Sequence, residues 1–258
     1  MTACLRAVSV LAAALVLACC GCAHAPESAD TVRPDQQLDF HVLYKQNCSG
    51  CHGDNGRGGA AIPLNNPAYL AIAGAQNLRT AAGKGLTGTL MPAFAQSSGG
   101  MLTDAQVDAL VQGMIREWSR PSDFSGVVLP PYSDPVSGDP ANGQKAYAAA
   151  CARCHGADGT GVKTPNAASG TQGPTSHSIV DPSYLALVKD QSLRSYVIAG
   201  HLDHNAPDWR SYISNHALSP QEITDIVAWI AARRAPTGEQ AASASRTNPA
   251  GVTTKEKP

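Results

Sequence analysis

Apolar residues fall at helical spacing in two stretches of the chain, and each stretch sits behind a capping signature. Thr103 is followed three residues later by Gln106, and the face beyond reads Val107, Leu110, Val111, Met114, Ile115 and Trp118. Ser219-Pro220-Gln221-Glu222 opens the second, with proline at the first helical position and a face of Ile223, Ile226, Val227 and Ile230. A shorter helical pattern precedes each, over 38–46 and 141–150, and a long loop-rich middle separates the two helices of each pair. One plan is thus used twice, over 37–118 and 139–235. Residues 119–138 carry Pro121, Pro130, Pro131 and Pro135 and read as a proline-rich, semi-extended linker.

The ends follow other patterns. Arg6 precedes an apolar run over 8–18, so 1–18 reads as a signal peptide. That run is too short for an ordinary membrane-spanning helix, and no later stretch is long and apolar enough. Residues 19–36 read as a flexible tether and 236–258 as a polar, disordered tail.

Composition sharpens the fold class. Aromatic residues are only 5% of the 258-residue chain while glycine and proline number 24 and 18, which disfavours an extensive sheet. The expectation is an all-α protein of short helices and long loops, whose core a large apolar cofactor completes. The net charge of −1 gives no reason to expect a nucleic-acid partner.

The cysteines supply the chemistry. Cys4, Cys19, Cys20 and Cys22 lie near the start, and the other four form Cys48/Cys51 and Cys151/Cys154. Each of these pairs is spaced Cys-x-x-Cys and is followed at once by a histidine, His52 or His155. Two thiols at that spacing reach the two vinyl groups on one porphyrin and form thioethers, and the adjacent imidazole then lies under the iron. The rival readings fit less well. A redox dithiol needs no histidine after each pair, pairs so far apart in sequence do not match common zinc spacings, and a disulfide across three residues is strained. Two covalent haems are expected, bound through Cys48, Cys51, Cys151 and Cys154, with His52 and His155 as iron ligands.

At these residues the chain resembles a family. Cys48-Ser49-Gly50-Cys51-His52-Gly53 followed by Asp54-Asn55-Gly56-Arg57-Gly58, and Cys151-Ala152-Arg153-Cys154-His155-Gly156 followed by Ala157-Asp158-Gly159-Thr160-Gly161, are similar to class I cytochromes c. The resemblance implies two tandem domains, each with its first and last helices crossing beside a haem, and a role in shuttling single electrons.

The resemblance also bears on the sixth iron ligand. Thr89-Leu90-Met91-Pro92-Ala93-Phe94 is similar to the family's distal loop, which makes Met91 the candidate sulfur ligand of the first haem. Met101 reads as a packing residue and Met114 as core. In the second unit, Gly200 to Arg210 resembles a distal loop in which Met precedes Pro-Asp-Trp, but that position is Ala206, and no methionine follows Met114. A histidine of the same loop then replaces the sulfur, His204 being preferred to His201 because it lies closer to the missing methionine. The alternatives are an open or water-bound iron and a methionine reaching across from the first unit. His177 and His216 read as surface residues, and Asp203 and Asp208 as solvated. Thioether sulfur raises a haem potential more than a second imidazole does, so electrons are expected to pass from the C-terminal to the N-terminal domain.

Leu17-Ala18-Cys19 resembles the lipobox of bacterial lipoproteins, which implies lipidation of Cys19 and a membrane-anchored protein on the periplasmic side. Cys22 is a second candidate, and cleavage after Ala23-His24-Ala25 is a third reading that Pro26 disfavours. The leading functional expectation is an electron carrier between membrane-bound respiratory complexes, a quinol-oxidising complex upstream and a terminal oxidase or reductase downstream. The alternatives are a haem enzyme or gas- or peroxide-reacting protein with an open second haem, and a subunit held permanently in a larger complex.

Overall fold

In the computed structural model the chain is described over residues 32–134, 136–162 and 178–234. The expected signal peptide, Cys19, Cys22, His177 and the C-terminal tail lie outside the described residues. The chain divides into a short unit, Met1–Gln37, and a compact unit, Leu38–Pro258, that holds both Cys-x-x-Cys-His turns. Among the described residues the secondary structure is helical, with isolated bridges such as Ala95–Leu102 and no strand. No helix among them is long and apolar enough to cross a membrane.

The first half opens with α1 (Phe40–Asn47), which Asp39 caps by accepting from the Val42 amide. The single turn α2 (Ser49–His52) follows, then α3 (Pro67–Lys84) and α4 (Asp104–Trp118). The second half repeats the frame with α5 (Pro140–Ala150), the turn α6 (Ala152–His155), α7 (Pro182–Leu187), α8 (Asp190–Ala199) and α9 (Pro220–Ala231). Both capping boxes form as the sequence predicts. Thr103 and Gln106, and Ser219 and Glu222, each exchange side-chain and backbone bonds at the N-termini of α4 and α9.

In each half the first and last helices cross closely because one of them offers a glycine. A Cβ on Gly113 of α4 would overlap the Phe40 ring of α1, and a Cβ on Gly143 of α5 would overlap the Asp225 carbonyl of α9. Aromatic rings fill the crossings. Tyr44 meets Trp118 edge-on at 5.1 Å between centroids, and Tyr147 stacks on Trp229 at 4.0 Å.

Two parts of the structure add to the expectation. The middle of the first half is loop-rich but also holds a long helix, α3, which runs for 18 residues with an interruption at Gly74. Asn66 caps it and Pro67 starts it, while its many alanines and glycines give only a weak apolar stripe. The segment 119–138 is also no free linker. Phe124 stacks on Trp209, and Gln191 donates to the Tyr132 carbonyl at 2.8 Å. The buried Arg194 donates twice to the Pro131 carbonyl, both at 3.1 Å, and once to the Thr224 hydroxyl at 2.8 Å.

Candidate functional site

The two Cys-x-x-Cys-His turns are built by the same bonds. In the first, the Cys48 amide donates to Tyr44 O at 2.8 Å, and the His52 amide donates to Cys48 O at 3.0 Å. In the second, Cys151 donates to Tyr147 O at 2.8 Å and His155 to Cys151 O at 3.0 Å. The turn places the two cysteines three residues apart on one side, with the histidine a full turn beyond the first. Each turn stops at a glycine with positive φ, Gly53 at 82° and Gly156 at 77°. The Tyr44 hydroxyl donates to Gly53 O at 3.0 Å, and the Tyr147 hydroxyl to Gly156 O at 2.7 Å. These tyrosines went unnoticed in the sequence, although each stands four residues before the first cysteine of its pair.

The surroundings of the first cysteine in each pair disfavour a redox dithiol. The first cysteine of each pair is half-buried while the second is exposed. Burial, with the neighbouring cysteine adding to it, pushes the Cys48 and Cys151 thiols up to about 12. A reactive dithiol needs the opposite shift. Among the described residues no group of three or more His, Cys, Asp or Glu side chains could hold a metal ion.

His52 fits an axial ligand. Its ring is buried, and its Nδ1 lies 2.8 Å from the Ile62 carbonyl, which only an N–H can satisfy. The proton therefore sits on Nδ1, and the lone pair on Nε2 is left available. That Nε2 is buried with no hydrogen-bond partner among the described residues. Burial holds the His52 pKa below its ordinary value, against the Ile62 contact, so the ring is neutral as a metal ligand requires. His155 occupies the same place in its turn and is half-buried.

Met91 is half-buried on the loop between α3 and α4. Its amide donates to Thr89 Oγ1 at 3.1 Å and its carbonyl accepts from Leu86 at 3.0 Å, while Phe94 and Ala95 bond back to Ala82 and Gly83 of α3. Met114 is core as expected. Met101, expected to pack, is instead 81% exposed.

In the second half the loop after α8 turns at Gly200, and His201 and Ala206 close it with a pair of backbone bonds, 3.0 and 3.1 Å long. His201 is half-buried and its Nδ1 is buried without a partner among the described residues. Its ring lies parallel to Tyr196, 5.7 Å between centroids, and 4.3 Å from the ring of His204, which is exposed. Burial first, and the neighbouring His204 second, hold the His201 pKa low. His216 faces Glu222 at 3.0 Å. Asp203 is exposed, as expected, and accepts from the Gly58 amide at 3.0 Å, while Asp208 is half-buried and pairs with Arg210 at 2.7 Å.

Comparison with known families bears directly on these turns. Residues 140–233 match the family described as Cytochrome c, and residues 36–112 match the family described as Cytochrome C oxidase, cbb3-type, subunit III. The chain is a dihaem c-type cytochrome. Its two cytochrome c domains stand in tandem, and the pairs Cys48/Cys51 and Cys151/Cys154 imply two covalent haem c groups. As a c-type cytochrome it is an exported electron-transfer protein. A chain of the reducing HAO-like protein complex of Kuenenia stuttgartiensis is similar to the cytochrome at 15% identity, covering 80% of this chain and 98% of that chain with a TM-score of 0.43. No match was found among curated proteins.

Proposed function

We propose that this cytochrome passes single electrons between respiratory complexes on the outer side of the cytoplasmic membrane, and that its two haems are ligated differently. The bound group supplies a one-electron ferric/ferrous couple. In this reading Cys48, Cys51, Cys151 and Cys154 form the thioethers, and His52 and His155 are the proximal ligands. Met91 completes the first site and a histidine of the 201–206 loop completes the second.

The observation that carries the reading is the contrast between the two distal loops. The first presents Met91 on a loop bonded back onto α3, whereas the second has Ala206, which has no donor atom. Burial favours His201 over His204, reversing the preference from sequence distance. His201 is stacked and half-buried with an unpartnered nitrogen, while His204 is exposed. The likeness of residues 36–112 to a cbb3-type oxidase subunit supports a terminal oxidase as the acceptor, and the donor in this reading is a quinol-oxidising complex. The sulfur-ligated first domain then has the higher potential and receives electrons from the second. The sequence around Cys19 supports a lipid anchor, which intact-protein mass spectrometry tests.

Near-infrared magnetic circular dichroism of the ferric protein tests the ligand sets. A methionine–iron charge-transfer band from one haem is expected, and bands from both would refute the reading. Ala206 also supports a second reading, in which the second haem is open and reacts with small gases or peroxide. Rapid carbon monoxide binding to one haem of the fully reduced wild-type protein would favour it.

A further inference from the structure

We propose that the first domain positions the ligand loop of the second: the Gly58 amide and the Asn66 side chain hold, from either side, the segment that presents His201. This rests on the reading that His201 ligates the second haem.

The segment begins where α8 ends. Ala199 closes that helix, so its carbonyl has no partner within the helix. Asn66 of the first domain supplies one, its Nδ2 donating to Ala199 O at 3.0 Å. Asn66 is only 2% exposed, and its amide is committed at both ends, because Oδ1 accepts from the Ala68 and Tyr69 amides to cap α3. Beyond His201, the Asp203 carboxylate accepts from the Gly58 amide at 3.0 Å. That bond is charge-assisted and lies at the surface. His201 thus stands two residues from each clamp, and both clamps are in the other domain.

The His201 side chain has little else to fix it. Its buried Nδ1, the nitrogen left available to a metal, makes no hydrogen bond among the described residues, so no bond at that nitrogen orients the ring. The parallel Tyr196 ring limits its tilt, and the backbone clamps set its position. Asn66 also lies four residues after Ile62, whose carbonyl orients His52. A single stretch of the first domain, 58–66, therefore places its own proximal histidine and steadies the distal histidine of its neighbour.

Variants of the full-length, haem-loaded protein test this. Asp203→Ala removes the acceptor, Asp203→Asn keeps one, and Asn66→Asp keeps the α3 cap while removing the Nδ2 donor. The readouts are carbon monoxide association with the reduced second haem and its ferric low-spin paramagnetic resonance signal, with the first haem as internal control. Loosening the loop raises the fraction of time the iron is free. Asp203→Ala and Asn66→Asp should each speed carbon monoxide association about tenfold and shift the second haem's signal. Asp203→Asn should stay close to wild type, and the first haem should not change. His201→Ala separates the two ideas. If it makes the second haem high-spin while Asp203→Ala and Asn66→Asp change nothing, the positioning role is overturned and the ligand assignment stands. If His201→Ala leaves the second haem unchanged, the ligand assignment fails and the positioning role with it.

Discussion

The tyrosine that precedes each cysteine pair ties the haem-attachment turn to the helix before it, and its energy can be measured. Burial pushes both phenols well above their ordinary pKa, so each hydroxyl remains a donor. Tyr44→Phe and Tyr147→Phe keep the ring packing and remove only the bonds to Gly53 O and Gly156 O. Each should cost about 1 kcal/mol, read as a shift in denaturant midpoint without a change in m-value. At this scale the sequence was legible where chemistry is local. The spacing of Cys48, Cys51 and His52 needs no tertiary information. Burial adds what sequence distance lacks: His204 is nearer to Ala206 in the chain, but His201 is the one packed against Tyr196. The packing expected of Met101 failed for want of the same information, since nothing in a residue's identity says which loop side reaches water.

At the scale of helices, the two domains solve one packing problem in opposite ways. Eight residues before the first cysteine stand Phe40 in the first domain and Gly143 in the second. Where α1 offers Phe40, α4 answers with Gly113; where α5 offers Gly143, the backbone of α9 at Asp225 moves in. Gly143→Ala therefore drives a methyl into backbone, which cannot yield, and should destabilise the protein by about 3 kcal/mol in thermal or denaturant unfolding. Gly113→Ala meets a side chain instead, so Phe40→Leu in the same chain should recover part of its loss. A double-mutant cycle with no coupling between Phe40 and Gly113 would contradict this account. The helices α4 and α9 were legible because capping and periodicity agree over the whole element. The helix α3 was not, because small residues such as Ala68, Ala71, Ala73 and Ala75 carry helix propensity without marking a face.

Across the whole molecule, the segment between the domains is a fastened part of the fold. Arg194 of α8 is only 4% exposed, and it bonds Pro131 O and Thr224 while pairing with Asp134 at 3.6 Å. The helices α3 and α8 pack across the two domains. None of these contacts is readable from the proline pattern, because each partner lies tens of residues away in sequence. Their expected consequence is cooperative unfolding of both domains, with calorimetric and van't Hoff enthalpies in agreement. Arg194→Leu leaves Asp134 without its cation and Pro131 O without its donors. It should lower stability by about 3 kcal/mol and split the transition in two. Acid provides an independent check. The Val136 amide first, then the Thr224 hydroxyl and Arg194, hold the Asp134 carboxyl below the usual carboxylate range, against the opposing effect of burial. A carboxyl whose folded pKa is depressed contributes stability above its unfolded value of about 4, and that contribution is lost as pH falls through the folded value. Asp134→Asn should therefore be less stable than wild type at neutral pH, and the gap should close under acid. A gap of constant size from pH 7 to pH 3 would show that the charge of Asp134 does not help fasten the two domains together.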